Sequence, residues 1–270
     1  MKITHGNQTI DLFAEHVPSL APISLSGGAD STSLFYLVSK HFPDVELITY
    51  TCRDQNAPVD AKAAKQIVEW MQSEFPNNKI HDIQVFDFND RTEDFVTYEE
   101  VDQVTLEYPQ FKGMRRTQVS KIIQVDKISW NIMKESDAEI RLDGMTRNPP
   151  SDEMKKLGFF DKGERRRDKE LPKVIEWRQN KEHPPLSIYQ PYANVDKKFV
   201  AGVFQDHNLM ETLYPLTRSC VGTARQTDNF KHVCNECFWC AEKAWAFDLP
   251  NPIVVMITDD KIMKNITANY

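Results

Sequence analysis

The first 90 residues alternate between short apolar segments and stretches in which apolar side chains recur every three or four positions. Segments 21–25, 45–51 and 83–88 are rich in apolar or β-branched residues, which is typical of buried strands. The stretches between them repeat at helical spacing, carried by Leu34, Leu37 and Val38 and then by Ala64, Ile67 and Met71. Strands that alternate with helices predict an α/β fold, a doubly wound parallel sheet with helices on both faces.

The pattern around these elements is less regular. A short strand and a helix are predicted before the first sheet strand, from Ile10, Leu12, Phe13 and Val17. Residues 91–114 carry acidic and aromatic side chains without a clear period, which favours a loop or insertion over the binding crevice. A helix is expected from Arg115 onwards, a further strand over 138–142, and an amphipathic helix from Lys197.

The middle of the chain changes character. Residues 151–185 hold many charges of both signs, among them the run Arg165-Arg166-Arg167. Such a run either meets RNA or phosphate or is solvated, and mixed-sign runs are usually solvated. We therefore predict an α/β core over 1–150, an insertion or lid over 151–190, and a helical C-terminal segment over 191–270.

A loop rich in glycine and hydroxyl groups joins the first predicted sheet strand to its helix. It reads Ser26-Gly27-Gly28-Ala29-Asp30-Ser31-Thr32. At a helix N-terminus, unpaired backbone N–H groups and the helix dipole attract anions, above all phosphate. The glycines allow close approach, and Ser26, Ser31 and Thr32 can donate to the anion's oxygens. The alternative is an ordinary tight turn that Asp30 and Ser31 cap.

Asp30 narrows the choice of anion. The loop lacks the Gly-Lys-Ser/Thr of a Walker A sequence and is not a GxGxxG loop. A carboxylate beside a polyphosphate is repulsive unless a hard cation lies between them, which points to magnesium-bound ATP or pyrophosphate. Ligands of parallel sheets bind beyond the carboxyl ends of the strands, so the strand tips at 26–31, 50–54 and 87–90 should share one crevice.

Three further features lie where such a crevice is expected. Arg115 and Arg116 open a helix against its dipole, which favours an anion clamp over solvated surface charges. The strand over 138–142 runs into Asp143, Gly144 and Thr146, a candidate binding loop for a second substrate. Cys52 follows another strand and is either a nucleophile or a small buried residue.

Four of the five cysteines crowd into residues 220–240. In a reducing compartment this clustering favours metal binding over disulfides. Four thiolates can close a tetrahedral shell around zinc in a structural site, and the predicted ligands are Cys220, Cys234, Cys237 and Cys240. His232 is a competing ligand, and an iron–sulfur cluster is the alternative to zinc.

Overall composition excludes little beyond special classes. Forty per cent of the residues are hydrophobic and 27 per cent are charged, as in ordinary globular proteins. The formal net charge of −7 argues against a broad nucleic-acid-binding surface, although a local one stays open. No apolar run reaches transmembrane length and the start lacks the apolar core of a signal peptide, so a cytoplasmic location is expected.

The sequence SGGxDS after the first sheet strand resembles the PP-loop of the ATP pyrophosphatase superfamily. That resemblance implies an enzyme that cleaves ATP between its α and β phosphates and adenylates a carboxylate or carbonyl oxygen. It also implies that Asp30 holds magnesium and that Arg115 or Arg116 stabilises charge on the departing pyrophosphate. The nucleotide site implied by the resemblance comprises Ser24, Leu25, Ser26, Gly27, Gly28, Asp30, Ser31, Thr32 and Tyr50.

A second combination resembles 7-cyano-7-deazaguanine synthases: the PP-loop, then Thr217-Arg218-Ser219-Cys220, then CxxCxxC over 234–240 before an aromatic segment. Lys197 and Lys198 match that family's basic helix start more loosely. The resemblance implies ATP, Mg2+ and Zn2+, with 7-carboxy-7-deazaguanine and ammonia as substrates, and it leaves a homodimer open. Residues 91–113 and 148–185 depart from the family's pattern. A tRNA, a protein carboxyl terminus or another small acid as acceptor, and a non-catalytic nucleotide-binding module, therefore stay as alternatives.

Overall fold

A computed structural model describes residues 1–53, 59–87, 96–107, 116–157, 174–177 and 186–249. It opens with a hairpin in which β1 (Lys2–His5) pairs antiparallel with β2 (Gln8–Asp11). The predicted helix before the sheet is not formed. Instead, the Tyr189 hydroxyl donates to the Asp11 carbonyl (2.9 Å) and accepts from the Phe13 amide (2.8 Å), which ties this segment to the sheet.

The described residues contain one larger sheet of six strands, in the order β5-β4-β3-β6-β8-β7. Five strands are parallel and β7 is antiparallel to β8. The strands are β3 (Leu20–Ser24), β4 (Glu46–Arg53), β5 (Gln84–Asp87), β6 (Ile140–Leu142), β7 (Val174–Trp177) and β8 (Leu186–Tyr189). The predicted doubly wound α/β fold is confirmed.

The strand order reverses between β3 and β6. From β3 the chain runs outward through β4 to β5, and it then returns to place β6 on the other side of β3. At such a switch point the loops after two neighbouring strands diverge and open a crevice, which is where α/β sheets bind ligands. The glycine-rich loop after β3 and the loop after β6 therefore face each other.

The helices of the described residues are α1 (Ala29–His41), α2 (Val59–Glu74), α3 (Tyr98–Glu107), α4 (Arg116–Ser136), α5 (Ser151–Lys156), α6 (Lys197–Asp206) and α7 (Phe238–Ala246). Helices α1, α2, α4 and α6 lie where helices were predicted, whereas α3, α5 and α7 were not predicted. The main core joins α1, α2, β3 and β4 to α6 through side chains that include Leu34, Leu37, Ile67 and Phe199. None of the helices in these ranges is both long and apolar enough to cross a membrane.

Helix α3 lies in the stretch for which a loop or insertion was predicted. Val96 and Val101 pack on Val119 and Ile123 of α4 and form a small separate core. Within α3, Tyr98, Val101 and Val104 recur at helical spacing, so the expectation of no clear period was wrong for this part. A helix of ten residues still depends on its contact with α4. Residues 91–95 and 108–114 of the predicted loop lie outside the described residues.

Part of the predicted insertion belongs to the central sheet. β8 pairs with β6, for example Ile188 with Arg141, and β7 completes the edge. The remainder of that stretch, including the three consecutive arginines, lies outside the described residues except for α5 and its flanks.

Candidate functional site

The glycine-rich loop leaves the sheet at Leu25, whose amide still donates to the Tyr50 carbonyl (2.8 Å). Gly27 follows with φ +74, and a side chain there would place Cβ 2.7 Å from the Asp60 carbonyl oxygen, so both conformation and space require glycine. Gly28 is the N-cap of α1, and no side chain caps the helix. The first amides of α1 therefore face the crevice without a side-chain acceptor. This arrangement favours the anion site over the capped tight turn.

Two hydroxyl groups stand at the mouth of the loop. Ser26 Oγ and Ser31 Oγ lie 3.3 Å apart, so both can reach one bound oxygen atom. Thr32 is fully buried and its hydroxyl donates to the Gly28 carbonyl at 2.7 Å. Ser31 is also buried, and its hydroxyl reaches the same carbonyl only at 3.3 Å. The structure thus brings Ser26 and Ser31 together as donors, while Thr32 holds the shorter bond that stabilises the first turn of α1.

Asp30 makes contacts that its place in the sequence does not suggest. Its Oδ2 lies 3.3 Å from Nζ of Lys197 and 3.4 Å from Oγ1 of Thr146. Its Oδ1 is buried and has no hydrogen-bond partner among the described residues. A buried carboxylate oxygen without a partner is costly unless a ligand fills the place. Because Mg2+ prefers oxygen ligands, Asp30 Oδ1 fits a magnesium ion that accompanies a polyphosphate.

Lys197 lies beside Asp30, although from the sequence it was named only as part of a basic helix start and was assigned no place in the site. It is 2% exposed, and its Nζ lies 2.7 Å from Glu242 Oε2 as well as near Asp30. Burial alone lowers its pKa, but Asp30 and Glu242 together raise the pKa above the ordinary value, so the ammonium stays charged. Lysine in the first turn of a helix opposes the dipole, and that signal, already used for Arg115 and Arg116, also marks Lys197.

The loop after β6 packs directly on the start of α1. A Cβ on Gly144 would lie 2.7 Å from Ser31 Cα and 2.8 Å from the Asp30 carbonyl oxygen. Thr146 reaches Asp30, whereas the Asp143 carboxylate accepts from the Met145 amide (3.0 Å) and from Gln190 Nε2 (3.1 Å). Two of the three predicted substrate-side residues, Gly144 and Thr146, therefore contact the glycine-rich loop, whereas the Asp143 carboxylate stabilises its own turn.

Tyr50 and Cys52, on β4, face the protein interior. The Tyr50 side chain is fully buried and its hydroxyl lies 2.7 Å from Ser129 Oγ on α4. Tyr50 meets the start of the glycine-rich loop through its backbone carbonyl, which accepts from the Leu25 amide. Ser24 pairs in register with Tyr50, at the end of β3. Burial raises the pKa of Cys52 to about 12, which keeps the thiol protonated at neutral pH. This favours a packing role over a nucleophilic one for Cys52.

Of the two arginines of the predicted anion clamp, the structure describes only Arg116. Arg115 lies outside the described residues. Arg116 begins α4 and donates from Nε and Nη2 to the Asp102 carboxylate of α3, at 3.0 and 2.7 Å. Its guanidinium also lies 5.7 Å from the centre of the Tyr98 ring. The charge of Arg116 is therefore balanced by α3, and an anion would have to compete with Asp102 for it.

The four predicted metal ligands converge. Their sulfur atoms all lie within 4.8 Å of one another, and those of Cys237 and Cys240 are 3.4 Å apart. Tetrahedral zinc with Zn–S bonds of about 2.3 Å places its sulfurs about 3.8 Å apart, so the cluster fits the ion. The amides of Cys234 and Gly222 donate to Cys220 Sγ at 3.1 and 3.3 Å, which orients that thiolate.

The cysteines of the cluster do not ionise equally. Hydrogen bonds from Cys220 and Cys240 lower the pKa of Cys237, and the same contacts raise the pKa of Cys220 and Cys240. Of these three, Cys237 is therefore the thiol that ionises first, to the form that binds metal. Among the described residues, the group within coordinating distance consists of the cysteines and leaves out the competing candidate His232. The His232 carbonyl instead accepts from Arg218 Nη2 at 3.3 Å.

The cysteine cluster lies next to the glycine-rich loop. The Arg218 amide donates to the Gly27 carbonyl at 2.7 Å, and Ser219 Oγ would be 3.5 Å from a Cβ on Gly28. Cys220 is the next residue in the chain. A two-residue connection thus links the first metal ligand to the loop.

Comparisons with known proteins find distant structural likeness only. No protein-family model matches the chain, and no curated protein matches it in sequence. The U34-tRNA thiolase NcsA from Methanococcus maripaludis, solved with its 4Fe–4S cluster, is 16% identical with a TM-score of 0.41, over 85% of this chain and 64% of that one. Glutamine-dependent NAD+ synthetase from Acinetobacter baumannii, solved with adenosine diphosphate, is 11% identical with a TM-score of 0.40, over 93% of this chain and 39% of that one.

This chain therefore spans less than two thirds of the length of either structure. Likeness at this level carries no information about reaction or substrate. What the protein does must be inferred from the residues of its own site.

Proposed function

We propose that this protein is an ATP-dependent adenylating enzyme that cleaves ATP between the α and β phosphates and transfers AMP to an oxygen of an acid. The observation that carries the proposal is the open start of α1 next to the unpartnered Asp30 Oδ1. The helix start and the two serine hydroxyls suit phosphate oxygens, and the free carboxylate oxygen suits the cation that accompanies them.

The residues of the glycine-rich loop over 26–32, hereafter the nucleotide loop, then have the following roles. Ser26 and Ser31 donate to phosphate oxygens, and the amides at the start of α1 stabilise the charge that grows on pyrophosphate as it leaves. Asp30 would hold magnesium, which supplies positive charge between the phosphates. Lys197 is buried beside Asp30 and holds that carboxylate in place. Catalysis of this kind depends on position and electrostatics, without a protein nucleophile.

For the acceptor we propose 7-carboxy-7-deazaguanine. Its carboxylate would attack the α phosphate and release pyrophosphate, after which ammonia would displace AMP and form an amide. A second ATP would activate the amide oxygen, which leaves with AMP as the nitrile forms and gives 7-cyano-7-deazaguanine. Support comes from the shared occurrence of SGGxDS, Thr217-Arg218-Ser219-Cys220 and the CxxCxxC run, and from the contact between Arg218 and Gly27.

A different acceptor is the second candidate. Residues 91–113 and 148–185 depart from the pattern of 7-cyano-7-deazaguanine synthases, and such segments are where a substrate would be recognised. A tRNA or a protein carboxyl terminus would shift the protein in a gel or copurify with it, whereas a small acid would do neither. A non-catalytic nucleotide-binding module would consume no ATP with any acceptor.

For the cysteine cluster we propose structural zinc. The four sulfurs fit a closed tetrahedral shell, in which no position stays open for a substrate. Metal analysis of the purified protein should give one zinc per chain and no visible absorption. A brown protein with iron and acid-labile sulfide would instead identify an iron–sulfur cluster.

The decisive experiment is mass spectrometry of the purified protein incubated with magnesium-ATP, ammonium and 7-carboxy-7-deazaguanine. We expect a nitrile product together with AMP and pyrophosphate. Asp30→Ala should abolish ATP turnover at unchanged metal content, because it removes the carboxylate that receives magnesium. Normal turnover by a folded, metal-loaded Asp30→Ala protein would remove Asp30 from the mechanism.

A further inference from the structure

The helix of the cysteine cluster reaches the nucleotide loop through a buried lysine. Lys197 Nζ lies between two carboxylates, 2.7 Å from Glu242 Oε2 on α7 and 3.3 Å from Asp30 Oδ2 on α1. Glu242 and Lys197 are both almost fully buried. Charges that have left water depend on their partners, so the position of Glu242 decides how strongly Lys197 is held at Asp30.

The adjacent residue of α7 provides a second connection. Lys243 Nζ donates to the Thr217 carbonyl (3.1 Å) and hydroxyl (2.9 Å), and it lies 4.3 Å from the centre of the Tyr214 ring. Thr217 precedes Arg218, whose amide donates to the Gly27 carbonyl. α7 is therefore connected indirectly to both arms of the nucleotide loop. Glu242 reaches Asp30 through Lys197, and Lys243 reaches Gly27 through Thr217 and the adjacent Arg218.

The cysteine cluster in turn sets the position of α7. The helix begins directly after Cys237 and carries Cys240 in its first turn, while Cys220 lies two residues from Arg218. Without a metal these elements are joined by weak thiol contacts. With a metal they are joined by four coordinate bonds, which allow little displacement.

We propose that Glu242 and Lys243 are positioning residues for the nucleotide loop, through which a metal in the cysteine cluster and magnesium-ATP strengthen each other's binding. The inference rests on the proposed function in so far as the loop binds ATP. Because coupling between two sites is reciprocal, each ligand must raise the affinity of the other by the same factor. Couplings of this kind are typically on the order of five- to 150-fold.

Neutralising Glu242 should weaken magnesium binding without weakening the binding of magnesium-free ATP. A purely structural role would predict equal loss in both. With Glu242 neutral, Lys197 is balanced by Asp30 alone, so the potential at Asp30 Oδ1 becomes more positive. Magnesium should then bind less well, whereas ATP without magnesium should lose nothing, since its phosphates carry the opposite charge.

The test uses the full-length, metal-loaded protein and calorimetric titration with an ATP analogue that has a methylene group between the α and β phosphates. In Glu242→Gln we expect affinity for the magnesium complex to fall about tenfold, while affinity in magnesium-free buffer stays within about twofold. Glu236→Gln is the matched control, because it removes an exposed carboxylate in the same cysteine segment, and it should change neither affinity. Equal loss under both conditions, or no loss, would overturn the role of Glu242.

Lys243 keeps the proposal testable if Glu242→Gln does not fold. Lys243→Met should weaken binding of the magnesium complex by about tenfold, and Lys243→Arg should restore most of it, because arginine keeps N–H donors that can reach Thr217. Lys231→Met, on an exposed lysine of the same segment, is the control. Unchanged binding by a folded Lys243→Met protein would overturn the second connection.

The coupling itself is measured on the wild-type chain. The metal is first removed with a chelator, the chelator is removed, and half of the protein is then reloaded with metal. The metal-free half should bind the analogue at least about fivefold more weakly than the reloaded half. Competition with a metal indicator should show the same factor for metal affinity with and without the magnesium analogue. Equal affinities would overturn this inference and leave the ATP proposal standing, whereas no binding by metal-loaded wild type would overturn both.

Discussion

Gly144→Ala tests whether the loop after β6 and the nucleotide loop form one site. The added Cβ would lie 2.7 Å from Ser31 Cα and 2.8 Å from both the Asp30 carbonyl oxygen and the Ser31 amide nitrogen. Ordinary contacts at such a Cβ begin near 3.4 Å, so the two loops must separate by roughly 0.7 Å. All three atoms belong to the backbone, and no side-chain rotation relieves the overlap.

Two consequences follow from that separation. Overpacking of this kind costs about 1–3 kcal/mol, which should appear as a lower midpoint of denaturant unfolding. Thr146 would also move away from Asp30, which it now meets at 3.4 Å. Since misplacement of catalytic groups by about 1 Å can cost about 100-fold in rate, we expect ATP turnover to fall by about 10- to 100-fold.

The assay combines AMP release with equilibrium unfolding of the same protein preparation. Gly6→Ala is the control, because its Cβ meets nothing within 4 Å, although its φ of +57 makes the change strained. That control should lose about 1 kcal/mol of stability without loss of turnover. If Gly144→Ala kept wild-type turnover and stability, the close contact between the two loops would be refuted.

Two further predictions concern buried ionisable groups. Cys52→Ala should keep turnover within about twofold of wild type, since burial raises the pKa of Cys52 to about 12, and a loss beyond 100-fold in a folded protein would restore the nucleophile hypothesis. Burial raises the pKa of Asp126 to about 6 despite its ion pair with Arg141. The bound proton therefore stabilises the folded state, fully at pH values below the unfolded pKa near 3.8. This contribution is lost as the pH rises through about 6. Asp126→Asn should flatten the pH dependence of the unfolding free energy between about pH 4 and 6, and a curve parallel to wild type would contradict the shifted pKa.

The nucleotide loop and the metal ligands were predictable because their chemistry is local. A glycine that must adopt a positive φ, an uncapped helix start and two nearby serines lie within a few residues, and the sequence shows them in order. The same holds for Cys234, Cys237 and Cys240, whose spacing keeps three thiols within seven residues. The alternation of strands and helices likewise determined the parallel sheet.

Other parts of the site depend on contacts between distant segments. Lys197 is 167 residues from Asp30 in the chain. Only the fold shows that it is buried between Asp30 and Glu242. Helix α3 is short and depends on packing of Val101 and Val104 against α4, while Arg116 is paired with Asp102 by that same contact. β8 joined the sheet although it follows a long polar stretch, because its pairing with β6 is nonlocal.

The sequence by itself determined the glycine-rich loop and the run of closely spaced cysteines, since both are properties of short segments. Only the tertiary structure decided that the two regions touch, through Arg218 at Gly27 and through Lys197, which lies between Asp30 and Glu242. The physical reason is that a buried charge must find its counterion wherever the packed chain brings one, and the sequence carries no mark of that distance.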